Sequence, residues 1–255
     1  MEINRKQAKE FYNSDMATAL ESCQKYGHAL FMPELIDAKI LATKGSSLLS
    51  NWLTAPSIRA TGRTKQGNPV VVYVHVDNYL SNPENIRNAE RINGAGVMPV
   101  DEFQRLLDLG DNKNVFVIDY DKLKSSSSGV IPVERALEHP QTIPFIGGEE
   151  RAQRYLEKFK QVYGNNIGIW HCDDLKDEPL GRLLFVGDYC NNGLIGNYGI
   201  GNYARFVGVR GSASAEGTAQ KISAPTIEQI LKVSKNFVPK ATRKEYENKI
   251  KALYK

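Results

Sequence analysis

The sequence contains only three cysteines, Cys23, Cys172 and Cys190. They are too few and too scattered for a disulfide framework, and no pair has the spacing of a structural zinc finger. Long apolar runs are also missing, and no stretch approaches the roughly 20 residues of a membrane span. The opening segment, MEINRKQAKEFYN, lacks the apolar core of a signal peptide. Together these absences read as a cytoplasmic protein in a reducing compartment. Histidine is scarce too: His28, His75, His139 and His171 form no HExxH, and there is no GxSxG elbow for a serine nucleophile. Gly193, Gly196, Gly199 and Gly201 contain G-x-G once, with no apolar helix behind it and no acid at the usual distance. A dinucleotide-binding fold is therefore unsupported.

What is present is an ordinary globular balance: 41% apolar and 24% charged residues, enough to bury a substantial core. The charge is unevenly placed. Between Lys221 and Lys255, nine Lys or Arg oppose three Glu, a balance of +6, whereas the first 220 residues carry −2. Such a basic tail meets a nucleic acid or another polyanion, or else forms a solvated helical face.

The strongest strand signal is Pro69–Asp77, PVVVYVHVD. Its first half is apolar at consecutive positions, which predicts burial on both faces. From Val72 onward it alternates, with Tyr73, His75 and Asp77 on one side. Residues 57 to 63 pair with it naturally across the turn Thr64–Asn68 as a hairpin. Upstream, the apolar spacing predicts a helix over 5–23 and two more before residue 53, a helical layer without strands. Downstream, MPVDEFQRLLDLG is a helix and NVFVIDY (114–120) a buried strand, the αβ half of a βαβ unit if the strands at 70 and 115 run parallel. GGEERAQRYLEKFKQVYG is the best helix signal in the chain. Short strands follow at 167–170, 182–186 and 204–210, and the last two, similar in pattern, read as antiparallel partners. The expected fold is α/β or α+β: a mixed sheet with a parallel βαβ-like middle, antiparallel hairpins and helices packed on it. Residues 1–220 form one domain with its helical layer at 1–53, and 221–255 a basic helical tail.

The candidate chemistry falls in three places. Trp170-His171-Cys172-Asp173-Asp174 follows a short apolar strand, and a carboxylate beside histidine can orient its ring. His171 with Asp173 or Asp174 is the first catalytic pair; in the structural alternative, Asp173 caps a turn and His171 bonds a carbonyl. His75 and Asp77 share a strand face, and Arg59 and Arg63 across the hairpin could hold phosphate oxygens. Asp119, at the end of its strand, is a candidate metal ligand for Mg2+ or Mn2+. Tyr189, Tyr198 and Tyr203 could stack on a base or sugar, or pin a long loop to the sheet. The serine run Ser125–Ser128 could cradle phosphate, but it lacks the spacing of a known phosphate loop and reads more simply as a surface loop.

Two functions follow. One is an enzyme cleaving a phosphoester or glycosidic bond in a nucleotide or nucleic acid. The other is a non-enzymatic nucleic-acid- or protein-binding scaffold that uses the basic tail. Geometry separates them: the enzyme needs His75 and His171 to converge on one pocket, and the scaffold needs only scattered polar residues and a flat face.

Overall fold

The valine-rich run at 69–74 is an inner strand, paired with a neighbour on each edge. The computed structural model describes residues 8–110, 113–187, 193–210 and residue 244. In chain order, β1 (Ala8–Asn13), α1 (Met16–Tyr26), β2 (His28–Ala29), α2 (Met32–Leu41) and α3 (Ser47–Ser50) come first. The hairpin β3 (Leu53–Arg63) and β4 (Pro69–Val74) follows, then α4 (Pro83–Asn88), β5 (Arg91–Ile92), β6 (Ala95–Val97), α5 (Val100–Asp108) and β7 (Val115–Asp119). The second half runs through α6 (Tyr120–Lys124), β8 (Gly129–Pro132), α7 (Thr142–Ile146), α8 (Glu149–Tyr163), β9 (Asn166–Trp170), β10 (Leu180–Val186), β11 (Gly193–Ile195) and β12 (Ala204–Val209). Among the described residues no helix is long and apolar enough to cross a membrane.

These strands join in one mixed sheet whose main path is β1-β12-β3-β10-β11-β9-β8. It forks at β3. One edge of that strand carries β10 along its length; the other meets β12 at Thr54 and β4 from Ile58 onward. Pro56 lies between those two contacts. A proline has no N–H for the ladder, so the edge is released there and a new partner can begin. The β3–β4 register, from Ile58↔Val74 to Arg63↔Pro69, is the expected hairpin. Gly67 turns it in a left-handed conformation, φ +84°.

Both faces are covered, as the apolar run in β4 requires. Val72 and Val74 join Ile58, Ala60, Leu183 and Phe206 in a core under α1, α4 and α5. Val71 and Tyr73 join Leu53, Ala55, Ile167 and Leu184 in a second core under α2, α6, α7 and α8. Helix α8 docks through Ala152, Tyr155, Leu156 and Phe159, a three- and four-residue spacing that makes one apolar face.

Three expectations are corrected. The layer at 1–53 is not wholly helical: Ala8–Asn13 is a strand paired with β12, and the helix begins only at Met16. Asn13, Ser14 and Asp15 interrupt the apparent period, and Asp15 caps α1 by accepting from the Thr18 N–H at 2.7 Å. The middle is not βαβ, because β4 and β7 pair antiparallel, Val70↔Asp119 to Val74↔Val115. The parallel pairs are β12–β3 and β11–β9. Finally, β10 and β12 are not partners; they flank β3 on opposite edges. The expected tail, 221–255, lies outside the described residues, Lys244 apart.

Candidate functional site

The candidate site forms where β9 leaves the sheet. The Trp170 carbonyl accepts from Gly196 N at 2.8 Å and from Gln141 Nε2 at 3.2 Å, which fixes the exit point. Beyond it the chain turns across the face of β3 and β10. Arg59 and Arg182 stand directly opposite each other on those strands. Both are buried, and both reach Asp174, which is itself only 2% exposed. Arg182 grips the carboxylate with two nitrogens, Nε to Oδ2 at 2.7 Å and Nη2 to Oδ1 at 2.9 Å. Arg59 Nη1 takes Oδ2 alone, at 2.8 Å, and Nη2 donates to the Cys172 carbonyl at 2.7 Å.

Over Arg59 lies a cavity of about 210 Å3, walled also by Tyr120, Lys124, Ser126, His171 and Asp173. Helix α6 supplies two of these groups. The Tyr120 hydroxyl donates to Asp173, and Lys124 Nζ lies 3.3 Å from the same carboxylate. The serine run supplies the rim. Ser126 Oγ is 3.2 Å from His171 Nε2 and donates to the Leu123 carbonyl at 2.6 Å. A hydroxyl has one proton, so with that proton on Leu123 the ring must donate, placing hydrogen on His171 Nε2. Ser126 is therefore not activated as a nucleophile. Ser128 Oγ accepts from the His171 N–H at 3.1 Å and donates to its carbonyl at 3.0 Å. His139 Nε2 meets the Ser127 carbonyl at 3.2 Å. Ser125–Ser128 is thus a tied loop. A second cavity, about 300 Å3, opens on its other side against Arg135, Glu138 and His139, and Ser126 lines both.

The electrostatics follow from burial and charge. Burial, then the charges of Arg59 and His139, push His171 down to about 4, so it is neutral near pH 7. Burial works to raise Asp174, but hydrogen bonding to Arg182 and the charges of both arginines more than offset it and hold the carboxyl below its ordinary range. Asp173 is also lowered, chiefly by the Tyr120 hydrogen bond. Burial raises the Cys172 thiol, which donates to Asp174 Oδ2 at 3.2 Å and is not poised as a thiolate.

Of the residues expected from the sequence, His171, Asp173 and Arg59 line one cavity, with Asp174 buried behind Arg59. The expected bond between a carboxylate and the His171 ring is not formed: the ring meets Ser126, and Asp173 accepts from Tyr120 and, as a turn cap, from Leu175 N at 3.3 Å. The other expected residues lie elsewhere. His75 is buried on the same hairpin, but its Nε2 donates to the Pro144 carbonyl at 2.8 Å and its Nδ1 meets Ser57 Oγ at 3.0 Å. It is absent from the His171 cavity, so the two histidines do not share a pocket; the two-histidine site expected of an enzyme is not formed, and chemistry at this cavity rests on His171 alone. Asp77 is exposed beyond the strand end, and Arg63 is exposed and bonds the Gly67 carbonyl of its own turn at 3.1 Å. Asp119 caps α6, accepting from Lys122 N at 2.8 Å. Among the described residues no group of three His, Cys, Asp or Glu side chains could hold a metal ion. Tyr189 lies outside the described residues. Tyr198 and Tyr203 pack together, ring centroids 5.7 Å apart, against Phe185 and Trp52 on the opposite sheet face.

Sequence reasoning passed over Arg182, Tyr120, Lys124 and Gln141, and set Ser126 aside within a serine run read as a surface loop. Arg182 had a usable signal, since a lone arginine inside the apolar strand LGRLLFV must find a buried partner. A larger cavity of about 520 Å3 is lined by Leu30, Ala38, Leu48 and Val207, with Lys9, Glu10, Ser46 and Ser47 also on its wall. The sequence matches no protein-family model and no curated protein.

Proposed function

We propose that this chain takes a small phosphate-bearing ligand, of the nucleotide class, in the cavity over Arg59, and that the reaction suited to that place is phosphoester cleavage. One observation carries the reading: two buried guanidinium groups share a single carboxylate. Arg59 and Lys124 line the cavity with Asp173, and Arg182 and Asp174 stand behind it, three cations to two carboxylates in all. A buried cation without a full counter-charge favours an incoming anion. The volume, about 210 Å3, is below the roughly 300 Å3 at which pockets enclosing whole drug-sized ligands begin. It suits the phosphate end of a ligand, with the remainder outside.

For cleavage, a water would attack phosphorus as the bond to the ester oxygen breaks, neutral His171 would take the water's proton and return it to the leaving oxygen, and Arg59 and Lys124 would stabilise charge on the phosphoryl oxygens. The glycosidic alternative loses support here. That reaction needs a carboxylic acid with a raised pKa, and Asp173 and Asp174 are both lowered. The test is calorimetric titration with inorganic phosphate and nucleoside monophosphates, followed by assays on phosphomonoesters and phosphodiesters with and without Mg2+ or Mn2+. Saturable phosphate binding that Arg59→Gln abolishes supports the reading. A wild-type protein that binds none of these at millimolar concentration overturns it.

A second reading, binding of nucleic acid without cleavage, is favoured by the +6 balance of residues 221–255. Counterion release then requires that removing those residues lower both affinity and its salt dependence. An unchanged salt slope rejects it.

A further inference from the structure

We infer that Arg182, which does not line the cavity, is the positioning residue that sets its affinity for anions. The inference rests on the reading of the cavity as a phosphate site. All five N–H donors of Arg182 are used. Nε and Nη2 hold Asp174, Nη2 also donates to the Asn93 carbonyl at 2.7 Å, and Nη1 donates to the carbonyls of Asn197 at 3.1 Å and Tyr198 at 3.3 Å. Arg59 is less completely held. It makes two short hydrogen bonds, a long contact of 3.9 Å to Cys172 Sγ, and a further hydrogen-bonding contact with the Tyr73 hydroxyl. Its Nε is buried without a partner.

The carboxylate is therefore divided unequally. Arg182 engages both oxygens in a fork, whereas Arg59 shares one oxygen with Arg182 and with the Cys172 thiol. Asp174 is answered mainly by Arg182, and the charge of Arg59 is left for a ligand. Without Arg182, Asp174 would neutralise Arg59 and the cavity would lose its attraction for phosphate, although no cavity wall had changed.

This arrangement predicts opposite signs for two neighbouring substitutions. Arg182→Gln should weaken inorganic phosphate binding about 10-fold, and Asp174→Asn should strengthen it about 10-fold, each being one unit of charge close to Arg59. Arg182→Lys keeps the charge and should stay nearer wild type than Arg182→Gln. A role in packing alone predicts that all three weaken binding together, and that result would overturn the inference. Binding is measured by calorimetry on the full chain at constant ionic strength, with Arg59→Gln in parallel.

The triad is buried, so Asp174→Asn can lose stability. Its melting temperature is then followed against phosphate in place of chloride. A larger phosphate-induced rise than in wild type, or recovery of a variant unfolded in chloride, supports the inference. An equal or smaller rise, or no recovery, rejects it. Failure of the wild type to bind phosphate removes the proposed function itself. Wild-type binding with both variants shifted the same way removes only the role of Arg182.

Discussion

His75 donates through Nε2 to the carbonyl of Pro144, 2.8 Å away, and this bond ties the end of the β4 strand to α7. The ring is fully enclosed, and burial pushes its pKa down to about 4. In the unfolded chain it returns to about 6.5. The unfolded state thus binds a proton that the folded state refuses, and stability falls as pH drops from 6.5 toward 4. The loss from this residue is on the order of 3 kcal/mol. Urea unfolding at pH 7 and pH 5 should show about 2 kcal/mol of it. His75→Gln should be less stable at pH 7 yet lose less over the same interval. An equal loss in both proteins would contradict the assignment.

His171 gives the test of chemistry. Glutamine can keep a hydrogen bond to Ser126, so His171→Gln should change stability by no more than about 1 kcal/mol. If His171 moves the proton in phosphoester cleavage, activity should fall roughly 10²-fold or more. A base must be unprotonated to act, and His171 is held at about 4. The kcat/KM profile should therefore stay flat through pH 6.5 and decline only as pH approaches 4. An acid limb near 6.5 would assign the proton to another group.

Gln141 links three strands with one side chain. Its Oε1 accepts from Tyr73 Oη at 3.0 Å, and its Nε2 donates to the carbonyls of Trp170 and Leu194, each at 3.2 Å. Gln141→Leu fills similar space but leaves these groups short of partners, at a cost of roughly 3 kcal/mol. Denaturant titration should show a shifted midpoint with an unchanged slope.

Asp119 should behave as a helix cap. Asp119→Ala should cost about 1 kcal/mol of stability, through the lost bond to Lys122 N. Any dependence of activity on Mg2+ or Mn2+ should be the same in the variant. Loss of that dependence would restore Asp119 as a metal ligand.

The parts of the fold that were legible are the local ones. The β3–β4 hairpin follows from five turn residues between two strand runs, and α8 from its acidic start, apolar stripe and closing glycine. Pairings between distant segments were not legible. Nothing near residue 8 announces that its partner is Val209, and the antiparallel pairing of β4 with β7 depends on everything folded between them. The site divided in the same way. His171, Asp173 and Asp174 are neighbours in sequence, so they arrive together. His75 could not be judged, because what encloses it comes from Ser57 on the paired strand and from Pro144 far along the chain.

Ser126 belongs to the His171 cavity and to the His139 cavity at once. The His171 ring holds Ser126 through its hydroxyl, and the His139 ring holds the carbonyl of the adjoining Ser127. The two spaces therefore share a wall. A substitution at Ser126 changes the lining of both spaces at once.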